Sequence, residues 1–164
     1  MANYLSFTGV ITTINDFWSG YGGKTGCFKL MTVEYQAGNI VNFIVSPTTY
    51  FVDHVMVAVG DTVTGFYDGN APTPLIYPPQ LPAIVMAKET VNRFQNVKVD
   101  FFNSELVSSD GTLKLNISYL TRIMLENGQR FPANPANRDL IVVYGPTTRS
   151  IPAQTTPEQI IVMC

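Results

Sequence analysis

Gly22-Gly23-Lys24-Thr25 ends in the manner of a phosphate-binding loop. Such a loop carries another Gly at the position that Trp18 occupies here. It also leads from a strand into a helix, so that backbone amides and the helix dipole face the phosphates. The residues that follow, Cys27 to Tyr35, read as a strand. The string is therefore expected to be a flexible hairpin loop rather than a nucleotide site. Phe17, Trp18 and Tyr21 stand beside Lys24 in this loop. Their ring faces could stack on a base or a sugar, with Lys24 adding one charge. The competing reading is that Phe17 and Trp18 cap a core, because a lone Trp is usually well buried.

The other reactive types are sparse. His54, the only histidine, follows Asp53, but no Cys, His or Glu at ligand spacing completes a metal set. No Gly-x-Ser-x-Gly elbow presents an activated serine. Asp100 and Glu105 read as solvated carboxylates. Cys27 opens a strand and reads as a small buried hydrophobe. Cys164 could cross-link two chains under oxidation. No catalytic residue, metal or cofactor is expected.

The elements that must position these residues are strands. Of 164 residues, 46% are hydrophobic and only 13% charged, about half the usual ~25% charged share. That excludes an intrinsically disordered chain. Seventeen Val and 17 Thr against nine Ala, with 12 Gly and 11 Pro, make a strand-and-turn composition. The net charge of −2 supplies no basic field, which disfavours nucleic acid as a partner. No run approaches the ~20 apolar residues of a membrane-spanning helix. No basic start with an apolar run marks a signal peptide, so the expected location is cytoplasmic, with spore or surface association after lysis.

Strands are predicted over Tyr4 to Asn15, Cys27 to Tyr35, Ile40 to Ser46, Thr62 to Tyr67 and Ala83 to Ala87. An irregular connection spans Asp53 to Val59, and a Pro-rich loop spans Asp68 to Pro82. A second copy of part of this plan follows. Moved by 72, residues 40–51 fall on 112–123; moved by 77, residues 63–86 fall on 140–163 without a gap. In the second copy the hairpin is read as Val97 to Val107 and Thr112 to Ser118, with no clear first strand.

Five strands with a connection between the third and fourth, and Val59-Gly60-Asp61-Thr62 launching the fourth, resemble the OB-fold. The expected class is all-β, an OB-like five-stranded Greek-key barrel followed by a smaller related unit. The expected division is 1–87, a junction at 88–96, and 97–164 packed on the first unit. The strings around Ile76-Tyr77-Pro78-Pro79 and Thr148-Arg149-Ser150-Ile151-Pro152 resemble those of anaerobic spore-forming bacteria, which implies an origin and no activity.

Phe28 to Val33, Val41 to Val45 and Leu140 to Tyr144 are apolar on both faces, so a further layer or another subunit must cover them. Ile40 to Ser46, Leu140 to Tyr144 and Ile160 to Met163 carry no charge to blunt a sheet edge. The leading expectation is a non-catalytic, self-associating structural protein, a homo-oligomer or filament such as a fibre or surface-layer subunit. The alternative is an OB-type binding module for an oligosaccharide, a peptide or a single-stranded nucleic acid, using Phe17, Trp18, Tyr21 and Lys24.

Overall fold

The computed structural model describes residues 2–17, 26–90 and 95–164. The protein is all-β, with 13 strands and one short 3-10 turn, Val52–His54, among the described residues. The chain divides into two compact units, Met1–Thr90 and Val91–Cys164.

In the first unit, β1 (Tyr4–Asp16), β2 (Lys29–Tyr35) and β3 (Asn39–Val45) run as an antiparallel meander. β1 is long enough to serve two ladders. Residues 4–10 pair with β5 (Thr62–Asp68), and residues 10–16 pair with β2. A bulge between Ile11 and Thr13 bends the strand where it changes partner. At the same place Gly9 lies so close to β2 that a Cβ there would sit 2.5 Å from the Glu34 carbonyl oxygen.

The last segment closes the path. β6 (Gln80–Pro82) runs parallel to β3, and β7 (Val85–Lys88) runs antiparallel to β5. The change of partner falls between two residues: the Ala83 N–H donates to Ile44 O at 3.0 Å, and the Ile84 N–H to Phe66 O at 2.8 Å. The ladders therefore run β5–β1–β2–β3–β6 and return through β7 to β5. β4 (Tyr50–Phe51) adds a short parallel pairing outside β7.

The second unit repeats these ladders with reduced strands. β8 (Asn96–Phe102) pairs with β11 (Arg138–Tyr144) as β1 pairs with β5. The bridges Phe102–Ser108 and Val107–Lys114 stand where β1–β2 and β2–β3 stand. β9 (Leu113–Leu115) runs parallel to β12 (Ala153–Thr155), and β13 (Gln159–Val162) runs antiparallel to β11. β10 (Arg122–Leu125) lies parallel to β13 as β4 lies parallel to β7.

Two sequence expectations need correction. Val97 onward is not the first arm of the hairpin. It is the first strand, and the second strand has shrunk to the bridges at 107 and 108. The gapless offset of 77 also fails beyond β11. Val85 corresponds to Gln159, because each pairs with the matching residue of its neighbours, Phe66 and Val143. The loop before it is three residues shorter in the second unit.

A shared turn ties the hairpin to the closing segment in each unit. The Thr49 hydroxyl donates to Ala83 O at 2.8 Å and accepts from the Ser46 N–H at 3.0 Å. The Thr121 hydroxyl donates to Pro157 O at 2.8 Å and accepts from the Ser118 N–H at 3.2 Å. Thr49 is buried, so losing its hydroxyl would leave a carbonyl and an amide unsatisfied. Thr49→Val is expected to destabilise the protein by about 1–3 kcal/mol, read from urea unfolding. Thr121→Val should act in the same direction.

The core of the first unit is Ile11, Met31, Val33, Val41, Phe43, Val45, Val63, Leu81, Ala83 and Met86. That of the second is Phe102, Leu113, Leu115, Leu140, Val142, Ile160 and Val162. The alternate residues Ile141, Val143 and Ile161 are also fully buried within the single chain. Both faces of β11 are therefore buried. The strands read as uncharged edges are interior as well. β3 lies between β2 and β6, β11 between β13 and β8, and β13 between β10 and β11.

Candidate ligand-binding face

Alternation in the β2–β3 hairpin sends Met31, Val33, Val41, Phe43 and Val45 into the core. The other face carries Leu30, Thr32, Glu34, Ile40, Asn42 and Ile44, all half-buried. These strands are therefore not apolar on both faces, as their composition suggested. The register sets Thr13 beside Thr32, Thr32 beside Asn42, and Asn42 beside Gln80. A polar lane thus crosses four strands, β1, β2, β3 and β6. Rows containing Val10 and Ile40 lie on one side of it, and Leu30, Ile44 and Pro82 on the other. The Thr32 hydroxyl donates to Asn42 Oδ1 at 2.7 Å, which fixes that amide's orientation.

At the hairpin tip two aromatic rings are open to solvent, Tyr35 at 52% and Tyr77 at 75%. Tyr77 belongs to the Pro-rich loop before β6, and its hydroxyl donates to the Gly38 carbonyl at 2.7 Å. Neighbouring Leu75 and Ile76 are exposed too. The Lys29–Asp16 ion pair, 2.6 Å, lies at the other end of the hairpin. It joins exposed side chains and adds little stability.

The loop residues proposed from sequence are met only in part. Phe17 is half-buried, and its N–H donates to Phe28 O at 2.9 Å. Trp18, Tyr21 and Lys24 lie outside the described residues, as does the Gly22–Thr25 string. His54 is exposed, with its ring edge-on to Tyr50 at 5.3 Å. Both cysteines are exposed. Cys27 therefore does not fill a core: it precedes β2, which starts at Lys29. Among the described residues no cluster of His, Cys, Asp and Glu could hold a metal ion. Nor is any helix there long and apolar enough to cross a membrane.

Sequence reasoning missed Asn42, Gln80, Tyr35 and Tyr77. Asn42 alone carried a signal, as an amide inside a β-branched run. The other three come together through the parallel β3–β6 pairing, which no local pattern specifies.

In the second unit Asp100 and Asp110 form a compact polar knot. Asp100, read above as solvated, is buried. Its carboxylate accepts from the Ser109 hydroxyl at 2.6 Å and the Phe101 N–H at 2.8 Å. Asp110 accepts from Lys98 Nζ at 2.7 Å, the Ser108 hydroxyl at 2.6 Å, and the N–H and hydroxyl of Thr112 at 3.1 and 2.8 Å. Ser108 and Lys98 are thus both engaged by one carboxylate, and Ser108 also accepts from the Leu113 N–H at 3.0 Å. The knot braces the turn and does not arm a nucleophile.

Partial burial raises the Asp110 pKa, but the bonds from Lys98, Ser108 and Thr112 more than reverse this. They hold it well below the usual carboxylate range. A carboxyl depressed on folding stabilises the native state above its unfolded pKa, and that contribution fades as pH falls toward the folded value. Stability is therefore expected to drop as pH falls below about 4. Asp110→Asn should flatten that drop, measured as urea midpoints across the acid range.

No family model, no curated protein and no solved structure matches this chain.

Proposed function

We propose that this chain is a non-catalytic binding protein built from two OB-type barrels, with the outer β2–β3 face of the first unit as its ligand face. The observation that carries this reading is the return of the ladder path through β6 and β7, which switch from β3 to β5 between Ala83 and Ile84. Barrels of this type take ligands across strands two and three, flanked by the loops after strands one and four. The second of these loops is residues 69–79, with Leu75, Ile76 and Tyr77; of the residues proposed from sequence, Phe17 follows β1, and Trp18, Tyr21 and Lys24 lie outside the described residues.

The test is a titration of isotope-labelled protein with probes of three classes, followed by backbone amide shifts. The probes are β-1,4-linked hexamers of glucose and of N-acetylglucosamine, a single-stranded thymidine oligonucleotide, and a short extended apolar peptide. At least one class should move the amides of β2, β3 and β6. Silence from every class at about 1 mM, a weak-binding limit, would overturn the reading.

A second reading is self-association into a homo-oligomer or filament. It is favoured by the consecutive exposure of Leu75, Ile76 and Tyr77. It no longer rests on open strand edges, nor on a free N-terminal strand. Residues 4–10 pair with β5, so deleting residues 1–7 would strip a ladder from the fold itself. Sedimentation of Leu75→Ser/Ile76→Ser against the parent chain tests it. Assembly that this change weakens would support it.

A further inference from the structure

We infer that the face of β2, β3 and β6 takes a neutral, polyhydroxylated chain, an oligosaccharide; this rests on the binding reading above. The first 90 residues hold three Lys or Arg against six Asp or Glu. Among the described residues of the face the one charged side chain is Glu34, and Lys29 at its margin is engaged by Asp16. A nucleic acid strand requires cations along its phosphates, and the balance here is of the opposite sign.

A peptide taken by strand addition requires an open sheet edge. β2 and β3 each have a strand beside them on both sides, and the edge of this face is β6, three residues long and ending in Pro82. So short an edge, with no N–H at Pro82, offers a peptide few ladder bonds.

What the face does offer matches sugars. Asn42 and Gln80 each combine an amide donor and an acceptor, and Thr13 and Thr32 add hydroxyls. A sugar hydroxyl is likewise donor and acceptor. The rows beside the lane, Ile40 with Val10 and Leu30 with Ile44, present aliphatic surface to the C–H faces of the rings. At the hairpin tip Tyr35 and Tyr77 add stacking surfaces, and the Tyr77–Gly38 bond limits the freedom of one of them before binding. Thr32 holds Asn42 Oδ1, so the amide is oriented before the ligand arrives.

The experiment measures the affinity of the two neutral hexamers by amide shifts for the parent chain, Asn42→Ala, Gln80→Ala and Tyr77→Ala. Thermal melts check each variant's fold. The expected result is hexamer binding to β2, β3 and β6, weakened about tenfold by each change, as for loss of one good hydrogen bond or stacking contact. Melting temperatures should stay within a few degrees, because all three side chains lie outside the core. Hexamer binding that is indifferent to all three changes would overturn the inference. If the oligonucleotide or the peptide moves these amides and neither hexamer does, the ligand class is wrong while the face remains a binding face. If no probe moves them, the binding reading itself falls.

Discussion

Gly65→Val is expected to be among the most damaging single changes in the first unit, and Phe43→Leu is expected to rescue it. A Cβ at Gly65 would lie 2.5 Å from Phe43 Cζ and 2.6 Å from Cε2. Phe43 is fully buried among the core residues of the first unit. Overpacking of this kind should cost about 3 kcal/mol. Phe43→Leu alone should cost about 1–2 kcal/mol through the space it leaves. The second unit already carries the alternative solution. Phe43 pairs with Leu81 as Leu115 pairs with Thr155, and Gly65 pairs with Met86 as Val142 pairs with Ile160. The large–small pair Phe43 and Gly65 thus stands where the second unit has the medium pair Leu115 and Val142. The double variant should recover most of the loss, with a coupling of about 2 kcal/mol in a double-mutant cycle of urea unfolding. Additive costs would show that the two positions do not share one volume.

Gly9→Ala should cost about 3 kcal/mol, from a clash that no partner side chain can relieve. The added methyl would meet the Glu34 carbonyl oxygen at 2.5 Å and its carbon at 2.7 Å, both backbone atoms of the paired strand. Separating them would break the β1–β2 ladder at the point where β1 changes partners. The second unit solves the same crossing differently. The Ile11–Val33 pairing corresponds to the Phe102–Ser108 bridge, so the positions of Gly9 and Glu34 are held in the second unit by Asp100 and Ser109. There the Ser109 hydroxyl donates to the Asp100 carboxylate at 2.6 Å, beside the backbone bond from the Ser109 N–H to Phe101 O at 2.9 Å. Asp100→Ala should therefore cost about 2 kcal/mol by leaving its donors unmatched. Unfolding of both variants by urea, against the parent, tests the pair. A neutral Gly9→Ala would mean that the strands part without cost.

Most of what was legible in the sequence was local. Val, Thr, Gly and Pro content specified strands and turns, and Gln36 to Asn39 and Gly60-Asp61 turn the chain where their residue types require it. Gly60 has φ +97, and Asn137, which launches β11 in the second unit, has φ +59. Both types tolerate this conformation better than other residues. The offset of 72 set Thr49 on Thr121, and both hydroxyls hold the same turn because their contacts to Ser46 and Ser118 are three residues apart.

The tertiary structure decided what depends on distant partners. The role of β8 follows from pairing with β11, far along the chain, and a strand's own residues do not encode its neighbour. The offset slipped beyond β11 because loop closure tolerates a few residues more or less at small entropic cost. Composition marked Gly9 and Gly65 only as breaks in a strand; their meaning lies in the Glu34 backbone and the Phe43 ring that pack against them. The lane of Thr32, Asn42 and Gln80 exists because β6 arrives parallel to β3 in one particular register. A shift of that register by one residue would turn Gln80 toward the core and Leu81 toward solvent, so burial of Leu81 and Phe43 is what sets the lane.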